Sequence, residues 1–350
     1  MNILNKQKQF LKDLEILLSD KAQLYLDELA LRSKEITVQR FGKIINLYAP
    51  VYLSNECENE CLYCGFNKNI EQGRKTLTFE EAKKEFSFLK NTGLTSVLIL
   101  TGESSDKVGI EYLVQVIRIA REYFPNVSLE IYPTTEENYR KLVEAGATGL
   151  TIYQETYHEL TYKEVHPRGK KSNYKWRLEA PERALKAGFR KIGLGVLLGL
   201  YDWRKDIISL AEHIKFLEKK YWRAEFLISF PRLRYYPDAF NVPNPVSDRE
   251  FVQIIFALRL CFPDLGFVLS TREPAELRDN LIGYGITQMS AGSKTNPGGY
   301  MNNCMSGEQF STSDKRNIKT VIQSIFNKNF DPVLKDWDDK FEGVKIASNN

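Results

Sequence analysis

The chain has 350 residues, of which 43% are hydrophobic and 27% charged, a composition typical of a globular protein with one large core or two small ones. Its 49 Lys and Arg exceed its 45 Asp and Glu by only four, so the charge gives no case for nucleic-acid binding. The sequence has neither a run of about 20 apolar residues nor a secretory signal, and it predicts a cytoplasmic protein without membrane contact.

The predicted elements begin with an amphipathic helix over residues 5–32, in which Phe10, Leu14 and Leu17 recur at helical spacing. From about residue 43 onward, short apolar runs alternate with longer helical patterns. The predicted strands are 45–53, 96–100, 128–131, 149–153, 191–198, 225–229, 267–270 and 286–290. The predicted helices are 78–91, 109–123, 136–145, 181–187, 203–219 and 248–261, with a last one near 318–327.

Eight strands that alternate with helices favour an α/β fold of the (β/α)8 TIM-type barrel class, whose typical length is about 250 residues. A doubly wound sheet shows the same alternation, but the number of strands favours the closed barrel. We therefore predict an N-terminal helical extension at 1–42, the barrel at 43–299, and a C-terminal tail at 300–350 that packs on the barrel. Chemistry in such a barrel lies at the carboxyl ends of the strands.

Three cysteines form a C-x3-C-x2-C pattern directly after the first predicted strand: Cys57, Cys61 and Cys64. This spacing lets one loop turn three thiolates toward a common centre. Structural zinc sites and ordinary [4Fe–4S] clusters take four ligands, and the other two cysteines, Cys261 and Cys304, are remote in sequence. Three cysteines therefore leave one iron open as a binding position. The alternative is a non-enzymatic zinc scaffold completed by a distant ligand.

The cysteine pattern, with Tyr63 before the last cysteine, resembles the radical SAM enzymes. The resemblance implies a [4Fe–4S] cluster on Cys57, Cys61 and Cys64, whose open iron chelates the methionine part of S-adenosylmethionine (SAM). One-electron reduction then yields methionine and a 5′-deoxyadenosyl radical, and the protein supplies placement and electronics. The electron is expected from a flavodoxin- or ferredoxin-type protein.

Further residues extend the resemblance to the SAM site. The sequence Thr-Gly-Glu at 101–103 ends the second strand, where the family usually carries Gly-Gly-Glu, which implies that Glu103 binds the SAM amino group. By similarity to biotin synthase and its relatives, Arg177 pairs with the SAM carboxylate and Glu155 holds the ribose hydroxyls. Tyr63 completes the set of cofactor-binding residues. The alternative for Arg177 is an ordinary surface charge on a helix.

The later part of the chain resembles the branch of the family that cleaves aromatic amino acids, in particular the tyrosine lyases of thiamine thiazole synthesis. This implies cleavage of the Cα–Cβ bond of L-tyrosine to 2-iminoacetate (dehydroglycine) and p-cresol. It also suggests a contact with the thiazole synthase, because dehydroglycine hydrolyses readily. The resemblance covers residues 40–340 and rests on the segments 176–179, 229–234, 269–279, 289–295 and 335–338.

The resemblance implies that Arg272 binds the tyrosine carboxylate and that Ser290 or Ser293 adds hydrogen bonds from the end of the neighbouring strand. A zwitterionic substrate needs a cation near its carboxylate, which gives the assignment physical sense. Arg232 and Arg234 share one strand face and are a second candidate clamp. The alternative for Arg272 is a structural ion pair.

For the remaining acidic, cysteine and histidine residues considered, the sequence predicts a structural role or none. Glu273 follows Arg272 on the opposite strand face and is interpreted as an acid at a helix N-terminus. Cys261 lies on an apolar helix face and is predicted to be part of the core. Cys304 stands in the polar tail without a predicted role, and the three histidines show no metal or base pattern.

Two related enzymes remain as alternatives. A hydrogenase-maturation tyrosine lyase carries a further C-terminal domain with its own cysteine cluster, whereas this sequence has only Cys304 beyond the barrel and ends at Asn350. A tryptophan lyase differs in pocket shape, on which the sequence gives no information.

Overall fold

The computed structural model describes residues 3–233, 240–301 and 306–334. Eight parallel strands form a closed barrel, because each pairs with the next and β1 pairs with both β2 and β8. The prediction of a (β/α)8 barrel is confirmed. The strands are β1 (Ile44–Ser54), β2 (Ser96–Thr101), β3 (Asn126–Glu130), β4 (Gly149–Thr151), β5 (Lys191–Gly195), β6 (Glu225–Ser229), β7 (Gly266–Leu269) and β8 (Gln288–Ser290).

The helices of the described residues surround this barrel and precede it. From α3 onward their positions match the predicted helical segments, except that three short helices in the loops, α6, α7 and α11, were not predicted. They are α1 (Ile3–Leu17), α2 (Leu26–Phe41), α3 (Phe79–Asn91), α4 (Ile110–Tyr123), α5 (Glu136–Glu144), α6 (Glu159–Val165), α7 (Tyr174–Leu178), α8 (Ala180–Ala187), α9 (Trp203–Lys220), α10 (Asp248–Cys261), α11 (Ala275–Asn280) and α12 (Ile318–Asn327).

Alternation along each strand separates the core from the barrel interior. In β3, Val127 and Leu129 are fully buried against the surrounding helices, while Ser128 and Glu130 point into the barrel. The predicted fourth strand is longer than β4, but its pairing with β5 continues past Thr151 through single hydrogen bonds, such as Gln154 N to Gly195 O at 3.1 Å. The carboxyl ends of the strands thus carry irregular backbone that can present polar groups.

The prediction of one helix over residues 5–32 is wrong, because the segment breaks at Ser19. Ser19 has an extended backbone (ψ 160°), and its hydroxyl accepts a hydrogen bond from Ala22 N at the start of a 3-10 helix over Asp20–Tyr25. The exposed carbonyls at the end of α1 are satisfied from α10, where the Gln253 side chain donates to Leu17 O and Ser19 O, each at 2.9 Å. Such tertiary hydrogen bonds leave no periodic signal in a sequence.

The segment after residue 305 crosses the barrel mouth and then returns to β1. Gln309 N donates to Thr295 O, and Ser313 N to Thr271 O, both at 3.0 Å. After α12, a ninth strand, β9 (Asp331–Val333), pairs with the first residues of β1 and was not predicted. None of the helices in the described part of the chain has the length and apolarity that crossing a bilayer requires.

Candidate active site

The loop that carries the three cysteines leaves β1 after Ser54 and is fastened to three other parts of the mouth. Glu58 N donates to Glu103 O at 2.8 Å, and Leu62 N to Val165 O at 3.1 Å. Gly65 N donates to Gln309 O at 2.9 Å. The end of β2, helix α6 and the segment after residue 305 therefore fix the loop together.

Gly102 is required for the close packing of this loop on the end of β2. A Cβ atom at Gly102 would lie 2.2 Å from Glu56 O and 3.2 Å from Cys57 Cβ. Any larger residue would push the first cysteine away from the barrel axis. This contact gives a structural reason for the central glycine of the Thr-Gly-Glu motif.

The three thiols fit an iron–sulfur cluster better than a single ion. Burial raises the pKa of the Cys61 thiol far above its usual value, against the effect of the Lys171 ammonium. Cys64 and Cys57 raise the pKa of Cys61 further, so the thiols lie close enough to interact. Yet no three His, Cys, Asp or Glu of the described residues converge as tightly as one metal ion requires. A cluster binds its cysteines through different irons, so its ligands need not converge on one point.

Donor groups point at the sulfur atoms, as expected for thiolates that hold a cluster. Phe66 N lies 3.4 Å from Cys64 Sγ, and Asn59 Nδ2 lies 3.6 Å from Cys57 Sγ. Gln309 Nε2 lies 4.0 Å from Cys64 Sγ on the opposite side. Hydrogen bonds to the sulfurs are among the groups that set a cluster's reduction potential.

Glu103 lies beside the cysteine loop and is nearly buried. Its carboxylate accepts a hydrogen bond from Asn59 Nδ2 at 2.7 Å, the same amide group that approaches Cys57. Asn59 also accepts a hydrogen bond from Lys171 N at 2.9 Å. Glu103 is thus in place to receive an ammonium group next to the cluster loop, and its role toward SAM stays a prediction.

Glu155, Lys171 and Arg177 form a buried charged group on the other side of the loop. Lys171 Nζ lies 2.6 Å and Arg177 Nη2 3.4 Å from Glu155 Oε1. Burial favours a raised pKa for Glu155, but the two cations outweigh it and hold the pKa below its usual value. Glu155 therefore stays ionised, as an acceptor for hydroxyl groups must. Sequence reasoning missed Lys171.

The backbone at Glu155 has a positive φ of 72°, which is unusual for a residue with a side chain. The buried Asp206 carboxylate of α9 holds the following residues in place, because it accepts from Thr156 Oγ1 at 3.0 Å and Tyr157 N at 2.8 Å. A strained residue supported in this way is typical of a functional site.

Tyr63 is buried between the cluster loop and a histidine that sequence reasoning left without a role. Its hydroxyl lies 2.7 Å from His166 Nε2, and His166 Nδ1 lies 2.7 Å from Tyr162 O. A carbonyl can only accept, so Nδ1 carries the hydrogen and Nε2 accepts from Tyr63. Burial lowers the pKa of His166 to about 3, assisted by Lys171, so the ring is neutral. His166 positions Tyr63.

A narrow cavity of about 60 Å³ opens inside the barrel beneath these groups, and Arg272, Ser290 and Ser293 all line it. Arg272 lies flat on the Phe310 ring, 3.4 Å from its centre, and has no carboxylate partner among the described residues. The Ser293 hydroxyl is buried and has no hydrogen-bond partner among the residues that the structure describes. The Ser290 hydroxyl accepts from Thr271 N at 3.1 Å. The structure brings the three residues together, and their roles toward substrate stay predictions.

Glu273 directly precedes Pro274, the N-cap residue of α11, but its carboxylate is bound by Arg232, which is therefore not available as a clamp. Arg232 is buried and donates to the Glu273 carboxylate through Nε at 2.9 Å and through Nη2. Arg232 also pairs with Asp248 at 2.7 Å. The pair joins the ends of β6 and β7, which a sequence shows only as distant charges. Arg234 lies outside the described residues.

One glycine and the two remaining cysteines lie outside these groups. A Cβ at Gly195 would lie 2.5 Å from Ser229 O and 2.8 Å from the Tyr153 ring, so this glycine allows close packing against both. Cys261 is partly buried against the core, as predicted. Cys304 and the segment 335–338 lie outside the described residues.

The cavity also contains two polar residues that sequence reasoning missed. Gln309 accepts a hydrogen bond from Tyr52 OH at 2.7 Å and so links the cavity wall to the Cys64 sulfur. Glu130 extends into the cavity from the end of β3. The sequence could have identified Glu130, because a charged residue on the inward face at the carboxyl end of a barrel strand indicates an active-site position. Gln309 gave none, since it is distant in sequence from its partners.

This architecture, a closed barrel with three cysteines on the loop after its first strand, defines the class of radical SAM enzymes. The family model described as "Radical SAM superfamily" matches residues 51–211. A second, described as "Biotin and Thiamin Synthesis associated domain", matches residues 229–331. The [4Fe–4S] cluster and SAM are accordingly the cofactors.

The chain belongs, within this superfamily, to the family of the 2-iminoacetate synthases. It is 41% identical over 336 residues to the 2-iminoacetate synthase of Escherichia coli (strain K12), covering 96% of this chain and 89% of that protein. It is 41% identical over 327 residues to that of Salmonella typhimurium (strain LT2), covering 93% and 87%. Among solved structures, HydG, a maturase of the [FeFe]-hydrogenase, aligns with a TM-score of 0.88 and 32% identity, covering 96% of this chain and 79% of that one.

We predict that Arg177→Ala weakens SAM binding about tenfold, because the guanidinium contributes a charge-assisted hydrogen bond of about 1.5 kcal/mol to the SAM carboxylate. The effect is limited because Arg177 already donates to Tyr153 O at 2.6 Å. Equilibrium dialysis with the reconstituted protein measures the change. Arg168→Ala is the matched control, since that side chain is exposed, and it should leave binding unchanged. Equal affinities for both variants would remove Arg177 from the SAM site.

Proposed function

We propose that this protein cleaves the Cα–Cβ bond of L-tyrosine to give 2-iminoacetate and p-cresol, with methionine and 5′-deoxyadenosine formed from SAM. The observation that carries the proposal is the cavity below the cysteine loop, in which Arg272, without a carboxylate partner among the described residues, faces apolar and aromatic walls. Identity of 41% over nearly the whole of two 2-iminoacetate synthases supports it. The protein is a carbon–carbon lyase of the radical SAM type.

In this proposal Cys57, Cys61 and Cys64 hold the cluster, and the nearby polar groups bind SAM. When bound, the cluster and SAM together supply the hydrogen-abstracting radical that is common to the superfamily. Glu103 receives the SAM amino group, Arg177 its carboxylate and Glu155 the ribose hydroxyls, while Tyr63 closes the pocket from the loop. These assignments agree with the burial of each side chain and with the lowered pKa of Glu155.

The substrate side of the proposal uses the charges and walls of the cavity. The Arg272 guanidinium binds the tyrosine carboxylate, and Ser290 and Ser293 border the same space. The free hydroxyl of Ser293 offers a further hydrogen bond. An apolar cluster that includes Leu98 and Val268 receives the aromatic ring. Burial beneath the loop excludes water from the fragments.

Product analysis tests this function. Reconstituted, reduced protein incubated anaerobically with SAM and L-tyrosine should release 5′-deoxyadenosine and p-cresol. Deoxyadenosine without p-cresol would reject tyrosine as the substrate and leave SAM cleavage intact. Absence of both products from protein with a full cluster and bound SAM would reject radical SAM chemistry in this chain.

The second candidate is a lyase that degrades the tyrosine fragment further. The structural likeness to the hydrogenase maturase HydG favours it, although at 32% identity the likeness is weaker than that to the 2-iminoacetate synthases. Detection of carbon monoxide or cyanide after tyrosine turnover would support this candidate, and their absence together with p-cresol release supports the first.

We further propose a flavodoxin- or ferredoxin-type electron donor and a contact with the thiazole synthase that consumes 2-iminoacetate. The chemistry supports both, since reductive cleavage of SAM needs external electrons and the imine hydrolyses readily. Failure of the two enzymes to co-purify under anaerobic conditions would count against the contact. A cytoplasmic location and the division into 1–42, 43–299 and 300–350 complete the proposal.

A further inference from the structure

Glu130 is the last residue of β3, and its carboxylate enters the cavity at the level of the barrel mouth. The register pairs Glu130 with Leu100 and Leu100 with Tyr52, close to the end of β1. The carboxylate therefore lies in the uppermost layer of the barrel interior, just below the point where the cysteine loop begins. Ser128, on the same face of β3, lines the cavity at the opposite end of the barrel.

Glu130 lies inside the barrel mouth and is partly exposed to the cavity, and its carboxylate makes no hydrogen bond or ion pair with a described residue. Burial and the nearby Glu155 carboxylate raise its pKa to about 7, against the opposite effect of Arg272, Arg177 and Lys171. An unpaired buried carboxyl group costs free energy of folding unless a ligand compensates it. Such a group in a cavity is a candidate for proton transfer at neutral pH.

Glu130 interacts electrostatically with two sets of charges, which matches the needs of an amino acid substrate. On one side lies the proposed SAM site, represented by Glu155, Lys171 and Arg177. On the other side lies Arg272, the proposed carboxylate clamp. If the SAM-derived radical takes its hydrogen atom from the substrate amino group, that group must lie near both, because it is joined to the clamped carboxylate through one carbon. This step rests on the proposed function.

We propose that Glu130 binds the ammonium group of the substrate amino acid and accepts a proton from it. One N–H bond of the ammonium breaks heterolytically, and its proton forms an O–H bond on the Glu130 carboxylate. The products are a neutral amine and a neutral carboxylic acid, with no change in oxidation state. Glu130 and Arg272 then recognise the two charges of the zwitterion separately.

The phenol end of tyrosine is a less suitable partner for Glu130. A neutral phenol offers one hydrogen bond and no charge, so it does not compensate a buried carboxylate as an ammonium does. The apolar cluster formed by Leu98, Leu100 and Val268 occupies the wall where an aromatic ring packs. The amino group is thus the part of the substrate that matches Glu130.

The pH dependence follows from the charge of Glu130. Below about pH 7 the carboxyl group of the free enzyme is protonated and cannot accept a proton, so kcat/KM should fall as the pH decreases through this value. The titratable and charged groups that act on Glu130 or are acted on by it come from all sides of the mouth: Tyr48, Tyr52, Tyr153, Glu155, Lys171, Arg177 and Arg272.

Glu130→Gln tests the proposal, with Ser128→Ala as the matched control on the same strand face. We expect Glu130→Gln to lower kcat/KM for p-cresol formation by about 100-fold or more, the usual contribution of a general base, and to abolish the acid limb of the pH profile. The control should keep the rate and the profile. A rate within threefold of the natural protein, or an unchanged acid limb, would overturn the proposal.

Substrate binding separates this role from a structural one. The desamino analogue 3-(4-hydroxyphenyl)propanoate, used as a competitive inhibitor, should bind Glu130→Gln as it binds the natural protein, whereas tyrosine binds more weakly. Equal loss for both ligands would overturn the proposal in favour of a packing role. Glu130→Asp, which keeps the carboxylate, should retain the acid limb, and its loss there would also contradict the proposal. The unsubstituted protein is first shown to release p-cresol, and only then are the variants measured. A failure of the proposed function is thus detected before the role of Glu130 is tested.

Discussion

Replacing Cys61 by alanine should abolish both 5′-deoxyadenosine and p-cresol formation. Cys61 is the most buried of the three loop cysteines, and its thiol interacts with those of Cys57 and Cys64. With only two thiolates left, a [4Fe–4S] cluster lacks one of its three protein ligands, and a second iron is left without a cysteine. We expect iron and sulfide uptake to fall sharply and SAM cleavage to drop below detection.

Cys261→Ala is the matched control, because Cys261 is a partly buried thiol on α10, remote from the loop. It should keep the iron content, the visible absorbance of the cluster and both products. Full iron uptake by Cys61→Ala, or an equal loss in Cys261→Ala, would contradict the assignment of the cluster to the loop. Zinc uptake with a colourless protein would support the scaffold alternative.

Arg272→Ala should raise the KM for tyrosine by roughly 10- to 150-fold, which corresponds to about 1.5–3 kcal/mol for a charge-assisted hydrogen bond. The guanidinium is held flat on the Phe310 ring and has no carboxylate partner among the described residues, so its donors are free for a ligand. SAM binding should not change, because Arg272 lies on the substrate side of the cavity. Steady-state kinetics and equilibrium dialysis measure the two effects.

Two further variants sharpen this test. Arg272→Lys keeps the charge but loses the planar fork, and its KM should lie between those of the natural protein and the alanine variant. Lys294→Ala removes an exposed cation near Ser293 and should leave the kinetics unchanged. Unchanged tyrosine kinetics in Arg272→Ala would eliminate the clamp and leave the cavity without an assigned carboxylate partner.

Features with a local signal could be predicted from the sequence. The barrel followed from eight apolar runs, and the cysteine loop from three cysteines within eight positions. Arg272 followed from a resemblance to the aromatic-amino-acid lyases, and the structure places it at the cavity with Ser290 and Ser293. Local spacing and position at the end of a strand carried the first two predictions, and the family resemblance carried the third.

Features that depend on distant contacts could not be predicted. The role of Glu273 was predicted from its neighbours in sequence, whereas its carboxylate forms an ion pair with Arg232 from the end of another strand. Gln309 reaches the Cys64 sulfur only because the chain crosses the barrel mouth after β8. The break at Ser19 depends on hydrogen bonds from Gln253. In each case tertiary packing determines which residue is the hydrogen-bond partner. A single sequence shows no periodic pattern from which that partner could be predicted.

The central claim is that the radical formed at the loop after β1 cleaves tyrosine held in the cavity below it. A competition experiment tests this most directly, with reconstituted protein, SAM, reductant and equal amounts of L-tyrosine and L-tryptophan. The account predicts p-cresol and 2-iminoacetate, detected as glyoxylate, in amounts that match 5′-deoxyadenosine, without carbon monoxide or cyanide. Fragments of tryptophan in place of p-cresol, or 5′-deoxyadenosine with neither, would contradict it.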